Sequence, residues 1–222
     1  MRFVTLLAVS LFVSHPAFAA WTEYPFKDLG FVVQFPTPPT AATGSYRTVL
    51  APRTSTRIFS VRGEHEWYAA IVADLSAYEK RGASILGEAD YWLNLQGDLV
   101  SDSSARVEPG KDAVYGREVT VDTRPDFKGG QRGQADAARK WFVETSGMQL
   151  PRGSRLTAAV YFHCGHIYMF LGANLPTKEG NQNPDALRFV NSVSFYGADG
   201  KRNRDDDPEI QAREGAEGVT GR

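Results

Sequence analysis

The sequence has 222 residues, with 25 basic and 26 acidic side chains and a formal charge of −1 at pH 7. Because this balance leaves no basic excess to neutralise phosphates, it argues against nucleic acid as a partner. A chain of this length can bury an ordinary hydrophobic core without cross-links. Its single cysteine, Cys164, cannot form an internal disulfide.

Residues 1–19 have the pattern of a cleavable secretory signal. Arg2 supplies a positive charge, an apolar stretch runs from Phe3 to Val13, and Ala17-Phe18-Ala19 provides small residues at a cleavage site. The apolar stretch has about 11 residues, whereas a membrane-spanning helix needs about 20. We therefore expect the protein to be periplasmic or secreted, and not to span the membrane after cleavage.

The first part of the domain predicts strands. Gly30 precedes Phe31–Phe35, a short apolar run that ends at Pro36. Residues 37–43 are rich in proline and small side chains and predict a loop. Three more β-prone segments follow, with a hairpin turn near Gly63: Tyr46–Leu50, Arg57–Val61 and Trp67–Leu75.

A helix is predicted over Ala83–Val100, where apolar side chains recur at helical spacing and Gln96 is the one polar mismatch. Two β-prone segments follow on either side of a Pro109-Gly110 turn, namely Ser101–Val107 and Val114–Asp122. The next stretch, from Arg124 to Gly133, is polar and contains three glycines. We expect a mobile insertion near residues 124–153, in which Ala135–Val143 fits either a short helix or the start of a strand.

The clearest pattern is a β-hairpin made by Leu156–Phe162 and Ile167–Leu175, with Gly165 in its turn. After it, Asn183-Pro184-Asp185 has the residue types that begin a helix. We expect this helix to pack on the sheet through Leu187 and Val190 and to end near Ser194.

Residues 199–222 change character, because they are highly charged and have few large apolar side chains. Such a segment cannot offset its ordering entropy, so it predicts a disordered tail. The remaining residues, 20–198, are predicted to form a single α+β domain. Runs of strands with helices at separate points favour an antiparallel β-sheet flanked by helices.

Several segments together resemble PsbP-like domains of bacterial exported proteins, over roughly residues 22–196. They are FVVQFP after Asp28-Leu29-Gly30, the strand ending in Val72-Ala73-Asp74, Tyr115-Gly116-Arg117-Glu118, Ile167-Tyr168-Met169-Phe170, and Arg188-Phe189-Val190-Asn191-Ser192. The resemblance implies an α/β/α sandwich and a binding or assembly module. Photosynthetic members of the family bind protein partners in a membrane complex, and the family supplies no catalytic residues to carry over.

The sequence predicts no catalytic residues and no cofactor, because it contains neither G-x-S-x-G nor a glycine-rich phosphate loop. His163, Cys164 and His166 form its one close cluster of soft ligands. That set is one ligand short of a closed zinc site. We expect a solvated turn without a metal, and a metal site is the alternative.

Trp141 and Phe142 adjoin the predicted mobile insertion. If exposed, this pair is a candidate anchor for a partner, because aromatic side chains dominate interfaces as well as cores. The sequence therefore favours an exported, non-enzymatic module that binds or helps to assemble a protein partner or small ligand. The alternative is an exported, hydrolase-like enzyme whose site the sequence does not reveal.

We predict that the signal is removed after Ala19, with cleavage after Ala20 as the alternative, because the small residues of Ala17-Phe18-Ala19 follow the short apolar stretch. N-terminal sequencing of protein recovered from the exported fraction should begin at Ala20, or at Trp21 for the alternative. Chains that still begin at Met1 in that fraction would contradict the prediction.

Overall fold

The computed structural model describes residues 21–104, 113–123, 130–178, 180, 183–197 and 200–203. The predicted signal at residues 1–19, the Pro109-Gly110 turn and residues 204–222 of the predicted tail lie outside these residues. The described residues form two antiparallel sheets and three α-helices, which confirms the expected α+β class with antiparallel strands.

The strands are β1 (Thr22–Phe26), β2 (Phe31–Phe35), β3 (Thr40–Tyr46), β4 (Thr54–Arg62), β5 (Glu66–Asp74), β6 (Gly97–Ser104), β7 (Ala113–Val121), β8 (Arg155–His163), β9 (His166–Asn174), β10 (Ser194–Tyr196) and β11 (Arg202–Asn203). The helices are α1 (Gly82–Asn94), α2 (Gly130–Ser146) and α3 (Asp185–Asn191). The large sheet has the order β3-β4-β5-β9-β8-β7-β6, and the small sheet has the order β1-β2-β10-β11.

The central strands of the large sheet are buried on both faces. In β5, Ala69, Ile71 and Ala73 join a core that contains residues of α1 and α2. The alternate residues Tyr68, Ala70 and Val72 join a second core that contains residues of β2 and α3. The two helices therefore cover one face of the sheet, while the small sheet and α3 cover the other.

The hairpin of β8 and β9 forms as expected, with Cys164 and Gly165 as its two-residue turn. Their φ angles are 47° and 74°. Positive φ at both central residues is the signature of a type I′ turn, which matches the twist of paired strands. The turn also packs closely, because a Cβ at Gly165 would lie 2.8 Å from the Cα of Ser76.

The predicted helix over Ala83–Val100 is too long. Helix α1 ends at Asn94, and the following residues enter strand β6. Gly97 permits this, since a Cβ there would lie 1.8 Å from the backbone oxygen of Thr120 on β7. Only a glycine lets the two strands approach so closely.

The second expected strand lies earlier than Tyr46–Leu50. Strand β3 begins at Thr40, inside the predicted loop, and pairs residue by residue with β4. Threonine and alanine are acceptable in a strand at the edge of a sheet. The last proline of the preceding segment is Pro39, so no proline interrupts the hydrogen bonds of β3.

The insertion expected near residues 124–153 contains a helix along most of its described length. Residues 130–146 form α2, which packs over the end of β3. Its buried face consists of Ala135, Ala138, Trp141, Phe142, Thr145 and Ser146. Their spacing is helical, but two of them are small alanines, which gives only a weak apolar pattern.

The ordered chain continues past residue 198. Strand β11 pairs with β10, and the Arg202 guanidinium donates hydrogen bonds to both carboxylate oxygens of Glu23, at 2.9 and 2.8 Å. Residues 202–203, which lie in the predicted tail, therefore belong to the small sheet. Helix α3 ends at Asn191 rather than near Ser194, because Ser194 begins β10.

Helix α3 packs on the sheet through a different face from the expected one. Asn183 Oδ1 accepts a hydrogen bond from the backbone N–H of Asp185 at 3.0 Å, as expected of a helix start. Val190 is buried, but Leu187 is 54% exposed. The fully buried Phe189 takes the place expected for Leu187 and packs against Phe35.

We expect Phe189→Ala to lower the free energy of unfolding by about 3–5 kcal/mol, because it removes a large buried ring. Leu187→Ala is the matched control on the same helix and should change it by less than about 0.5 kcal/mol. Chemical denaturation of both variants measures the difference. Equal losses would mean that Leu187 carries packing that its exposure does not indicate.

Candidate functional site

The candidate partner anchor, Trp141 and Phe142, lies in the core. The two residues are 6% and 4% exposed. Trp141 Nε1 donates a hydrogen bond to the backbone oxygen of Arg47 at 3.0 Å, and its ring meets Tyr46 edge-on. The exposure that a partner anchor needs is absent, so this prediction is wrong.

The turn that carries His163, Cys164 and His166 lies at one end of the large sheet. Cys164 is exposed, and its Sγ lies 3.4 Å from His163 Nε2. The Nδ1 of His166 lies 2.9 Å from the backbone oxygen of Cys164. The described part of the chain contains no group of three His, Cys, Asp or Glu side chains that could hold a metal ion.

An acidic side chain lies next to this turn. Asp74 on β5 pairs with His166 on β9 across the strands. The backbone N–H of Ser76 donates to Asp74 Oδ1 at 2.9 Å and holds the pKa of that carboxyl below its usual value, with a smaller contribution from His166. The carboxylate thus serves to fix the chain after β5.

A cavity of about 270 Å³ opens beside the C-terminal end of α2. Its lining combines apolar side chains with a few polar ones: Gln96, Val121, Asp122, Arg139, Phe142, Val143, Met148, Gln149 and Leu150. An apolar cavity with few polar groups is the usual form of a small-molecule site. We take this cavity, called the α2 pocket below, as the candidate functional site.

The floor of the α2 pocket is set by the way α2 ends. Gly147 has a φ of 71° and donates its N–H to the backbone oxygen of Val143 at 2.9 Å, which turns the chain back under the helix. The Met148 N–H then donates to Ser146 Oγ at 3.1 Å. As a result Met148 is fully buried beside Phe142.

Gln96 joins the two helices at the inner wall. It is 4% exposed, and its Nε2 donates hydrogen bonds to the backbone oxygens of Trp92 and Ala138, each at 3.0 Å. The polar mismatch of the predicted helix is thus a buried link between the end of α1 and the middle of α2. Satisfying both N–H groups is what makes its burial possible.

The rim carries the charged groups. Asp122 follows β7 with a φ of 63°, and its N–H donates to the backbone oxygen of Gln96 at 2.9 Å. The left-handed backbone is uncommon for residues other than glycine, although aspartate and asparagine adopt it more readily than most. Arg139 on α2 forms ion pairs with Asp122 and with Asp136.

This arrangement can hold a small molecule, and its described lining contains one carboxylate, that of Asp122. The nine described lining residues include no Ser, Thr, Cys, His, Lys or Tyr. Arginine stays protonated in proteins, so Arg139 cannot act as a general base. The sequence reasoning missed Asp122, Arg139 and Met148, and the one available indication was Gln96 on an otherwise apolar helical face.

Comparisons with known proteins add no identity. No protein-family model matches the chain, and no curated protein matches it significantly. None of the helices in the described residues combines the length and the apolar character of a membrane-spanning segment.

We expect Cys164→Asn to raise the free energy of unfolding by up to about 1 kcal/mol, because Asn-Gly is a favoured type I′ turn. Cys164→Val should lower it, since a branched side chain opposes the φ of 47° at this position. Denaturant unfolding under reducing conditions compares the two variants. Similar stability of both would show that the backbone of residue 164 is not left-handed in solution.

Proposed function

We propose that the protein is an exported, non-catalytic binding module whose α2 pocket holds a small organic ligand. The observation that carries the proposal is the pocket itself, in which a buried apolar floor is combined with a fixed amide and an ion pair. Its volume of about 270 Å³ lies just below the usual range of about 300–1,000 Å³ for ligand pockets. The ligand is therefore small.

Export is part of this proposal and rests on the secretory pattern of residues 1–19. Membership of the PsbP-like domains rests on the sequence segments quoted above. The burial of Trp141 and Phe142 removes the argument for a protein partner at that pair. The lining of the α2 pocket favours binding over the hydrolase alternative, because the described lining residues include no Ser, Thr, Cys, His or Lys, and the one carboxylate, that of Asp122, is paired with Arg139.

The test is a thermal-shift screen of small compounds that share an apolar body and differ in charge: cationic, neutral and anionic. Saturating ligand at about 100 times Kd stabilises a protein by about 2.7 kcal/mol, which is a shift of several degrees for a chain of this size. Val143→Trp should abolish the shift by filling the pocket. Val49→Trp, at an exposed loop position, is the matched control and should preserve it.

Two results would contradict the proposal. One is that no compound shifts the melting temperature of the unsubstituted protein. The other is that Val143→Trp, verified as folded by circular dichroism, keeps the full shift.

A further inference from the structure

The inner wall of the α2 pocket contains an amide held in one orientation, that of Gln96. Both N–H groups of the Gln96 amide donate to backbone oxygens, which fixes the orientation of the amide. Its Oε1 accepts no hydrogen bond from the described residues and belongs to a side chain that lines the pocket. A ligand that fills this pocket is therefore expected to bring an N–H or O–H donor to Gln96.

Two helices end at the pocket. Helix α1 ends at Asn94, two residues before Gln96, and α2 ends at Ser146, two residues before Met148. The C-terminus of a helix carries about −0.5 of an elementary charge on its unpaired carbonyl groups. Both helix ends therefore favour a positive charge on the ligand.

The rim offers one carboxylate to such a ligand. The charged residues of the described lining are Asp122 and Arg139, and Arg139 also pairs with Asp136, which lies outside the lining. If a ligand takes over part of Asp122, Arg139 keeps Asp136 as a partner, so the exchange leaves no charge unpaired.

We propose that the α2 pocket binds a small primary ammonium compound with an apolar chain. This inference rests on the proposed ligand-binding function and names its ligand class. The ammonium group donates to Gln96 Oε1 and to the Asp122 carboxylate. The apolar chain lies on the floor formed by Phe142, Met148 and Leu150.

The test uses four compounds with the same phenyl-ethyl body: 2-phenylethylamine, 2-phenylethanol, 3-phenylpropionate and the trimethylammonium analogue of the amine. Isothermal titration at neutral pH should show the amine binding about tenfold or more tightly than the alcohol, which is the usual worth of a charged hydrogen bond. The carboxylate should bind more weakly still. The trimethylammonium analogue should lose affinity, because it keeps the charge but has no N–H.

Two rim variants give opposite expected results. Asp122→Asn removes the charge while keeping a residue type that accepts the left-handed backbone, and it should weaken amine binding by about tenfold. Arg139→Gln removes a competing cation and should tighten amine binding. A purely structural role of the ion pair would not give changes of opposite sign.

The outcomes separate this inference from the function on which it rests. If the alcohol or the carboxylate binds as tightly as the amine, and Val143→Trp abolishes that binding, the ammonium preference is wrong and the pocket function stands. If no compound of the series or of the wider screen binds in a way that Val143→Trp abolishes, the proposed function itself fails. Equal effects of Asp122→Asn and Arg139→Gln on the amine would also overturn the ammonium assignment.

Discussion

The burial of the central strands on both faces is the constraint on which the rest of the structure depends. Strands β5 and β9 place apolar side chains alternately above and below the sheet. Neither face can remain in water, because each carries several apolar side chains whose exposure would cost about 1.5–3 kcal/mol apiece. The fold therefore needs two covering layers, and the chain supplies a pair of helices for one and a small sheet with a short helix for the other.

The α2 pocket is a consequence of how one of these layers is built. Helices α1 and α2 cover the same face, and the residues just after their C-terminal ends, Gln96 and Met148, line one pocket together with Val121 at the end of β7. The last carbonyl groups of a helix have no intrahelical partners. A cavity next to two helix ends therefore has polar groups at its rim, while its floor is formed by the apolar side chains of the core. Gln96 links the two helices by bonding one such carbonyl, that of Trp92, as well as Ala138 in the middle of α2. The same geometry that closes the core leaves room for a small molecule beside it.

Much of the fold could be predicted from the sequence where burial is strong. The run Trp67–Leu75 and the hairpin around Gly165 have continuous apolar residues and clear turn chemistry, and both form as predicted. The sequence left a helix and a strand open for Ala135–Val143, because alanine and glycine give a weak apolar pattern, although the spacing of Ala135, Ala138 and Trp141 is helical. The helix end before Gly97 was missed because the reason for it is the close approach of Thr120, a residue far along the chain.

The pocket could not be predicted because its residues come from four separate parts of the sequence. Gln96 follows α1, Asp122 follows β7, and Arg139 lies within α2. No spacing rule connects such positions. The left-handed backbone of Asp122 could not be predicted either, since most aspartates have a negative φ angle.

The order of strands in the large sheet has a consequence for how the chain acquires its structure. Strand β5 pairs with β9, whose residues lie about 100 positions later. The chain must lose the entropy of closing this long loop before the contacts between the two strands can form. Pairing of β5 with β9 is therefore slow compared with the formation of local hairpins. During synthesis the hairpin of β4 and β5 is complete while the apolar edge of β5 still awaits its neighbour. Until the last quarter of the chain emerges, β5 lacks the neighbour that covers its edge, and an uncovered strand edge is a template for aggregation.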